Sequence, residues 1–137
     1  QVQNNSEAAL FTVDGSGAVT TTGVISTPGI TTSGKTTVTQ LTNINTAVTS
    51  NTLSGVITTV TATNSGQASE TFTVNCSVCT SASIIFSSVI GYSGTYDTNG
   101  HPDTVVDDVA NGSFKIVVVN NDNAALNGVL NIGYMIV

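Results

Sequence analysis

The sequence predicts an all-β protein. Three observations carry that expectation. Thr, Val, Ser, Asn and Gly make up well over half of the 137 residues, with 24 Thr and 19 Val. Branching at Cβ crowds a helix and suits a pleated strand, so this composition favours sheet. Only 7% of residues are charged, against roughly 25% in an average soluble protein. Finally, short apolar runs recur between clusters of Gly, Asn and Asp, the punctuation of strands and turns.

From the N-terminus, Leu10-Phe11-Thr12-Val13 followed by Asp14-Gly15-Ser16-Gly17 reads as a strand entering a turn. Gly17, Gly23, Gly29 and Gly34 then fall at spacings of six, six and five, with Val19, Val24 and Ile30 close behind them. Such rungs cannot bury an apolar face singly and need further rungs or identical neighbouring chains. Residues 36–60 support two readings. Val38, Leu41, Ile44 and Val48 are spaced three, three and four apart, as on a helix face or a short trimeric helical seam. The Thr and Asn between them are poor helix formers and favour extended β instead. Gly55 to Val60 reads as strand.

Composition shifts near Ser65-Gly66. Residues 1–66 hold 18 of the 24 Thr, whereas 67–137 hold three of the four Phe, all three Tyr, both Cys and six of the eight acids. The expected division is therefore an extended or intertwined oligomerisation segment, 1–66, and a C-terminal β-sandwich domain, 67–137. In the second part, 70–74, 83–90, 103–109, 113–119 and 128–137 read as strands. Five strands with short turns point to a small antiparallel, jelly-roll-like sandwich.

Charge excludes some functions. Two Lys, no Arg and a net charge of −6 leave almost nothing to grip a phosphate backbone, so no nucleic-acid partner is expected. The apolar runs are far shorter than the roughly 20 residues of a membrane-spanning helix, so no membrane insertion is expected. No basic segment with an apolar stretch behind it marks a signal peptide.

Several constellations merit weighing. Cys76-Ser-Val-Cys79 lacks the second pair or the His residues of a zinc site and the βαβ context of a redox motif. Two small buried hydrophobes is the simplest reading. A turn disulfide or a metal shared across symmetry-related chains stays open. Asp97-Thr-Asn-Gly-His-Pro-Asp103 resembles the start of a calcium loop but lacks its ligand spacing and terminal Glu, and reads as a surface turn. His101 is the only His and has no nucleophile motif near it. Asp107 and Asp108 would face opposite ways on a strand. A fibre-borne glycan hydrolase would need two carboxylates of 97–108 to converge across a cleft; solvated loop acids are the simpler reading. No enzyme, cofactor or metal is expected.

The opening Phe11-Thr-Val-Asp14-Gly15-Ser-Gly17 with its Thr-rich Gly rungs resembles shaft segments of phage and virus tail fibres and capsid fibres. The ending, Phe114-Lys-Ile116-Val-Val-Val-Asn120 and Gly128-Val-Leu130-Asn-Ile132-Gly-Tyr134, is similar to terminal β-domains of virion fibre or capsid-decorating proteins. The resemblance implies a homotrimeric structural virion protein, a fibre, spike or capsid decoration, located on the virion with capsid or tail proteins as partners. It also implies an outward head that contributes to host attachment through a surface glycan or protein.

Independently, a first half unable to close its own core predicts self-association. The expected assembly residues are Leu10, Phe11, Val19, Val24, Ile30, Val38, Leu41 and Ile44. For a receptor or glycan the expected contacts are Tyr92, Tyr96, Asp97, Asn99 and His101. These are the aromatic faces and planar hydrogen-bonding groups that sugars use. The alternative is a carbohydrate-binding or adhesive module of a bacterial surface protein, placed extracellularly or at the cell surface.

Overall fold

The structure is a computed structural model. It describes residues 35–137 and, before them, the strands at 2–3, 9–13 and 19–21. Two units divide the chain, Gln1–Thr31 and Thr32–Val137. In the first, β1 (Val2–Gln3), β2 (Ala9–Val13) and β3 (Val19–Thr21) form an antiparallel sheet in the order β1-β2-β3. Phe11 stands opposite Val2 on one side and Thr21 on the other.

The second unit is a sandwich of two four-stranded sheets. Sheet I has the order β4 (Thr36–Thr39), β6 (Ser54–Ala62), β11 (Gly128–Ile136), β8 (Ile85–Tyr92). Sheet II has the order β5 (Val48–Thr49), β7 (Ser69–Asn75), β10 (Ser113–Asn120), β9 (Pro102–Ala110). There is no helix among the described residues.

The expected boundary at residue 66 falls inside this sandwich. β4, β5 and β6 belong to it, and β6 pairs with the C-terminal strand from Ser54↔Met135 to Ala62↔Gly128. The apolar spacing of Val38, Ile44 and Val48 comes from neither a helix nor one continuous strand. Val38 lies on β4 of sheet I, Val48 on β5 of sheet II, and Ile44 on the turn between them, so the same core is reached from two layers. The sheets are also mixed rather than wholly antiparallel: β4 runs parallel to β6 and β5 parallel to β7. Parallel neighbours require a crossover. Here the chain supplies it by alternating sheets from β4 through β8, one element at a time.

Alternation sets the core. On β10, Phe114, Ile116 and Val118 are buried while Lys115, Val117 and Val119 turn outward. On β11 the inward set is Leu130, Ile132, Tyr134 and Ile136. Phe72 and Val74 of β7 and Ile57 of β6 complete the layer between the sheets. The Phe114 and Tyr134 rings meet across it at 5.6 Å between centroids. The Tyr134 hydroxyl is satisfied at the edge of the core, 2.5 Å from the Ser50 hydroxyl. Burying each of these large side chains contributes about 1.5–3 kcal/mol.

Asn120, at the end of β10, ties one end of the sandwich together. Its amide donates to the carbonyls of Asn64, Ser65 and Ala124 at 3.3, 3.1 and 2.7 Å. Its side-chain oxygen accepts from the N–H groups of His101 and Asp122 at 3.0 and 3.2 Å. A single fully buried side chain thus joins the β6–β7 turn, the loop before β11 and the start of β9.

Candidate functional site

Two surfaces of the sandwich carry chemistry. The first is the β8–β9 loop, where the five expected ligand residues gather. They divide into two roles. Tyr92 is half-buried, and its hydroxyl donates to the Asn99 carbonyl and accepts the Asn127 N–H. The Asn99 side-chain oxygen accepts the Thr95 N–H at 3.1 Å. The Tyr92 hydroxyl and the Asn99 side-chain oxygen are thus spent within the protein, on the loop itself and on the segment before β11. Gly100 closes the turn at φ +80°, where a Cβ would stand 2.6 Å from Leu126 Cδ2. A non-glycine residue there would be strained as well as crowded.

Tyr96, Asp97 and His101 are the exposed members of the five. The Tyr96 ring meets Tyr92 edge-on at 5.4 Å and His101 at 5.0 Å. His101 Nδ1 lies 3.2 Å from Asp97 Oδ1, with both side chains more than half exposed. Asp97 holds this position with φ 66°, in the left-handed region. The result is an aromatic face beside a carboxylate and an imidazole, on a loop braced from beneath. Asp and Asn tolerate the left-handed region better than most residues, which suits Asp97 to the turn.

The second surface was not anticipated. The outer face of sheet I carries a groove of about 330 Å3 whose lining includes Phe86, Ile90, Val56, Gly133, Met135 and Lys35. Phe86 and Met135 are cross-strand partners. Ile90 lies over Gly133, where an added Cβ would come within 3.2 Å of it, so the glycine keeps the floor low. Phe86 is 58% exposed, Ile90 61% and Met135 48%. No Asp or Glu stands on any strand of this sheet, and Lys35 is its flanking charge. The sequence did hold a signal. β8 is apolar in both phases: Ile85 and Val89 pack against the core while Phe86 and Ile90 do not. A strand apolar on both sides, in a sheet whose outer side no other strand of the sandwich covers, leaves a patch.

The acids of β9 lie across the sandwich. Asp103, Val105 and Asp107 alternate outward on sheet II, with Val105 opposite Val117 and Asp107 opposite Lys115. The register slips near the hairpin end, and Asp108 there has φ 49°. Its carboxylate reaches Lys115 Nζ at 2.7 Å. Two adjacent acids expected on opposite faces of a strand thus both act on one lysine. Its pKa is raised above 10.5 by the hydrogen bond it donates to Asp108 and by the charges of Asp108 and Asp107, against some desolvation.

Of the expected assembly residues, Val38 and Ile44 pack against the sandwich core within the chain, and Leu41 is exposed. Leu10, Phe11 and Val19 lie on β2 and β3 of the first unit. Val24 and Ile30 fall outside the described residues.

Cys76 and Cys79 are both free and buried. They occupy a turn rather than a strand, with the Cys79 N–H donating to the Cys76 carbonyl at 3.0 Å, and so both side chains enter the core. The same turn clasps the β9–β10 hairpin, accepting the Gly112 N–H on Cys79 and donating the Cys76 N–H to Gly112. Among the described residues, no group of three or more His, Cys, Asp or Glu is placed to hold a metal.

No protein-family model, curated protein or solved structure matches this chain. The functional reading accordingly stands on these two surfaces and on the sequence.

Proposed function

We propose that this chain is a self-assembling, non-enzymatic structural protein of a virus particle: a trimeric fibre, spike or capsid decoration. The observation that carries the self-assembly is the carboxylate-free apolar face of sheet I, with Phe86, Ile90 and Met135 side by side and exposed. Contiguous apolar patches on soluble proteins mark interaction sites. In a chain of net charge −6, a face without acids is the one that identical copies can approach most cheaply. The Thr/Gly-rich opening and the β-rich ending that resemble fibre and decoration proteins support placement on a virion. Light scattering on the full chain tests the reading. A mass of three copies is expected, and a monodisperse monomer would overturn it.

A specific observation favours a second reading, an adhesive module that binds carbohydrate. Tyr96, Asp97 and His101 present an exposed aromatic face beside planar hydrogen-bonding groups on a braced loop. Sugar rings stack on such faces while their hydroxyls bond to carboxylate and imidazole. The test is a glycan array probed with the wild-type chain and Tyr96→Ala. Binding that disappears in the variant supports this reading, and an array empty for the wild type removes it.

A further inference from the structure

We propose that the groove of sheet I and the Val105 strip of sheet II are the two halves of one interface, so that copies of this chain join front to back. This rests on the self-assembly reading and specifies its surfaces. The two patches belong to the outer sides of different sheets, and therefore face opposite ways on one sandwich. The groove offers Phe86, Ile90 and Met135 with Lys35 beside them. The strip offers Val105, 53% exposed, and its partner Val117, with Asp103 at one end and Asp107, Asp108 and the single cation Lys115 at the other, so that it carries a net negative charge. An apolar groove with a lysine at its margin thus meets an apolar ridge with carboxylates at its margins.

Symmetry makes the choice. A twofold dimer through the groove would leave the strip of each copy uncovered. A front-to-back contact buries both patches on every copy and pairs unlike charges. Contacts of that kind close into rings when the rotation permits and otherwise run on as open stacks. The faces are small. Strands about 4.8 Å apart and about 3.4 Å per residue give each sheet a face of roughly 400–500 Å2. That lies below the roughly 800 Å2 per partner of a standard interface, so the contact is expected to be weak and concentration-dependent.

The experiment uses the full chain in two variants, Phe86→Asp and Val105→Asp. Both positions are more than half exposed, so neither change invades the core; circular dichroism and melting confirm the fold. Each variant alone is expected to be monomeric by light scattering. Their equimolar mixture is expected to give a species of two chains, because one supplies an intact strip and the other an intact groove. If Val105→Asp still associates with itself, the contact is groove to groove and the proposal is overturned. If both variants keep the wild-type mass, the surfaces are wrong while self-assembly stands. If the wild type itself is monomeric at every concentration, the self-assembly reading falls, and this proposal with it.

Charge reversal gives a second, milder test. Lys35→Glu and Asp103→Lys should each raise the midpoint concentration of assembly about three- to fivefold at low salt. Joined in one chain, the two changes should recover most of that loss. A double variant no better than the singles would overturn the front-to-back pairing of these margins.

Discussion

The side-chain oxygen of Asn120 accepts the backbone N–H of His101 at 3.0 Å. The relationship links the core to the exposed loop. Asn120 is 1% exposed, while the His101 ring one bond away is open to solvent. A buried amide with five partners fixes where β9 begins, and hence where Tyr96, Asp97 and His101 meet.

Replacing Asn120 should be costly. Asn120→Ala removes all five hydrogen bonds and takes these partners from the Ala124 carbonyl and the N–H groups of His101 and Asp122, while the Asn64 and Ser65 carbonyls keep the N–H groups of Leu126 and Ala68; a loss of about 3 kcal/mol is expected in a urea titration. Asn120→Asp should cost at least as much. It sets a carboxylate oxygen against the carbonyls of Asn64, Ser65 and Ala124 in place of a donor. A loss below about 1 kcal/mol for either would contradict the role given to this residue.

Gly100→Ala should destabilise by about 2 kcal/mol through positive φ and crowding against Leu126 and the Asn120 oxygen. Thermal melting measures it. Gly112 also has positive φ, at +84°, but nothing lies within 4 Å of an added Cβ. Gly112→Ala should therefore be the milder of the two, and the reverse order would show that crowding is not the larger effect at residue 100.

Phe114→Ala should cost about 3–5 kcal/mol, as expected for a fully buried aromatic. Part of that loss reflects the Tyr134 ring left without its neighbour. A double-mutant cycle with Tyr134→Leu isolates the ring contact, with a coupling of about 0.5–1.5 kcal/mol expected.

The Lys115 pair has a defined pH signature. Its pKa is raised on folding, so its stabilisation is fully present below the unfolded value of 10.5. That stabilisation is lost as pH rises through the higher folded value. Because both partners are substantially exposed, the effect should be small and shrink with salt. Melting curves of the wild type and Asp108→Asn should converge above that range. A gap between them that widens with alkalinity would contradict the pairing.

The five strands of the second half were legible because each alternates or runs apolar between turn residues, and β7 to β11 fall where 70–74, 83–90, 103–109, 113–119 and 128–137 predict them. The contribution of 36–62 to the same sandwich was not legible. A two-residue strand such as β5 is too short to show a period, and a segment that changes sheet after every strand scatters its apolar residues across turns. The aromatic loop could be read as a cluster from its composition. Which members brace it and which face outward could not, because that depends on hydrogen bonds from Asn127 and Asn120, distant in sequence. The groove was hidden for another reason. Its walls come from β6, β8 and β11, and only their register sets Phe86 beside Met135.

The turn that holds Cys76 and Cys79 has a practical consequence. Both thiols are inside, 1% and 3% exposed, and the turn around them is clasped to the β9–β10 hairpin. A thiol reagent can reach them only when that end of the sandwich opens. The chain therefore carries its own reporter of breathing: the rate at which these two sulfurs are labelled counts the openings of the fold, with no dye or tag introduced.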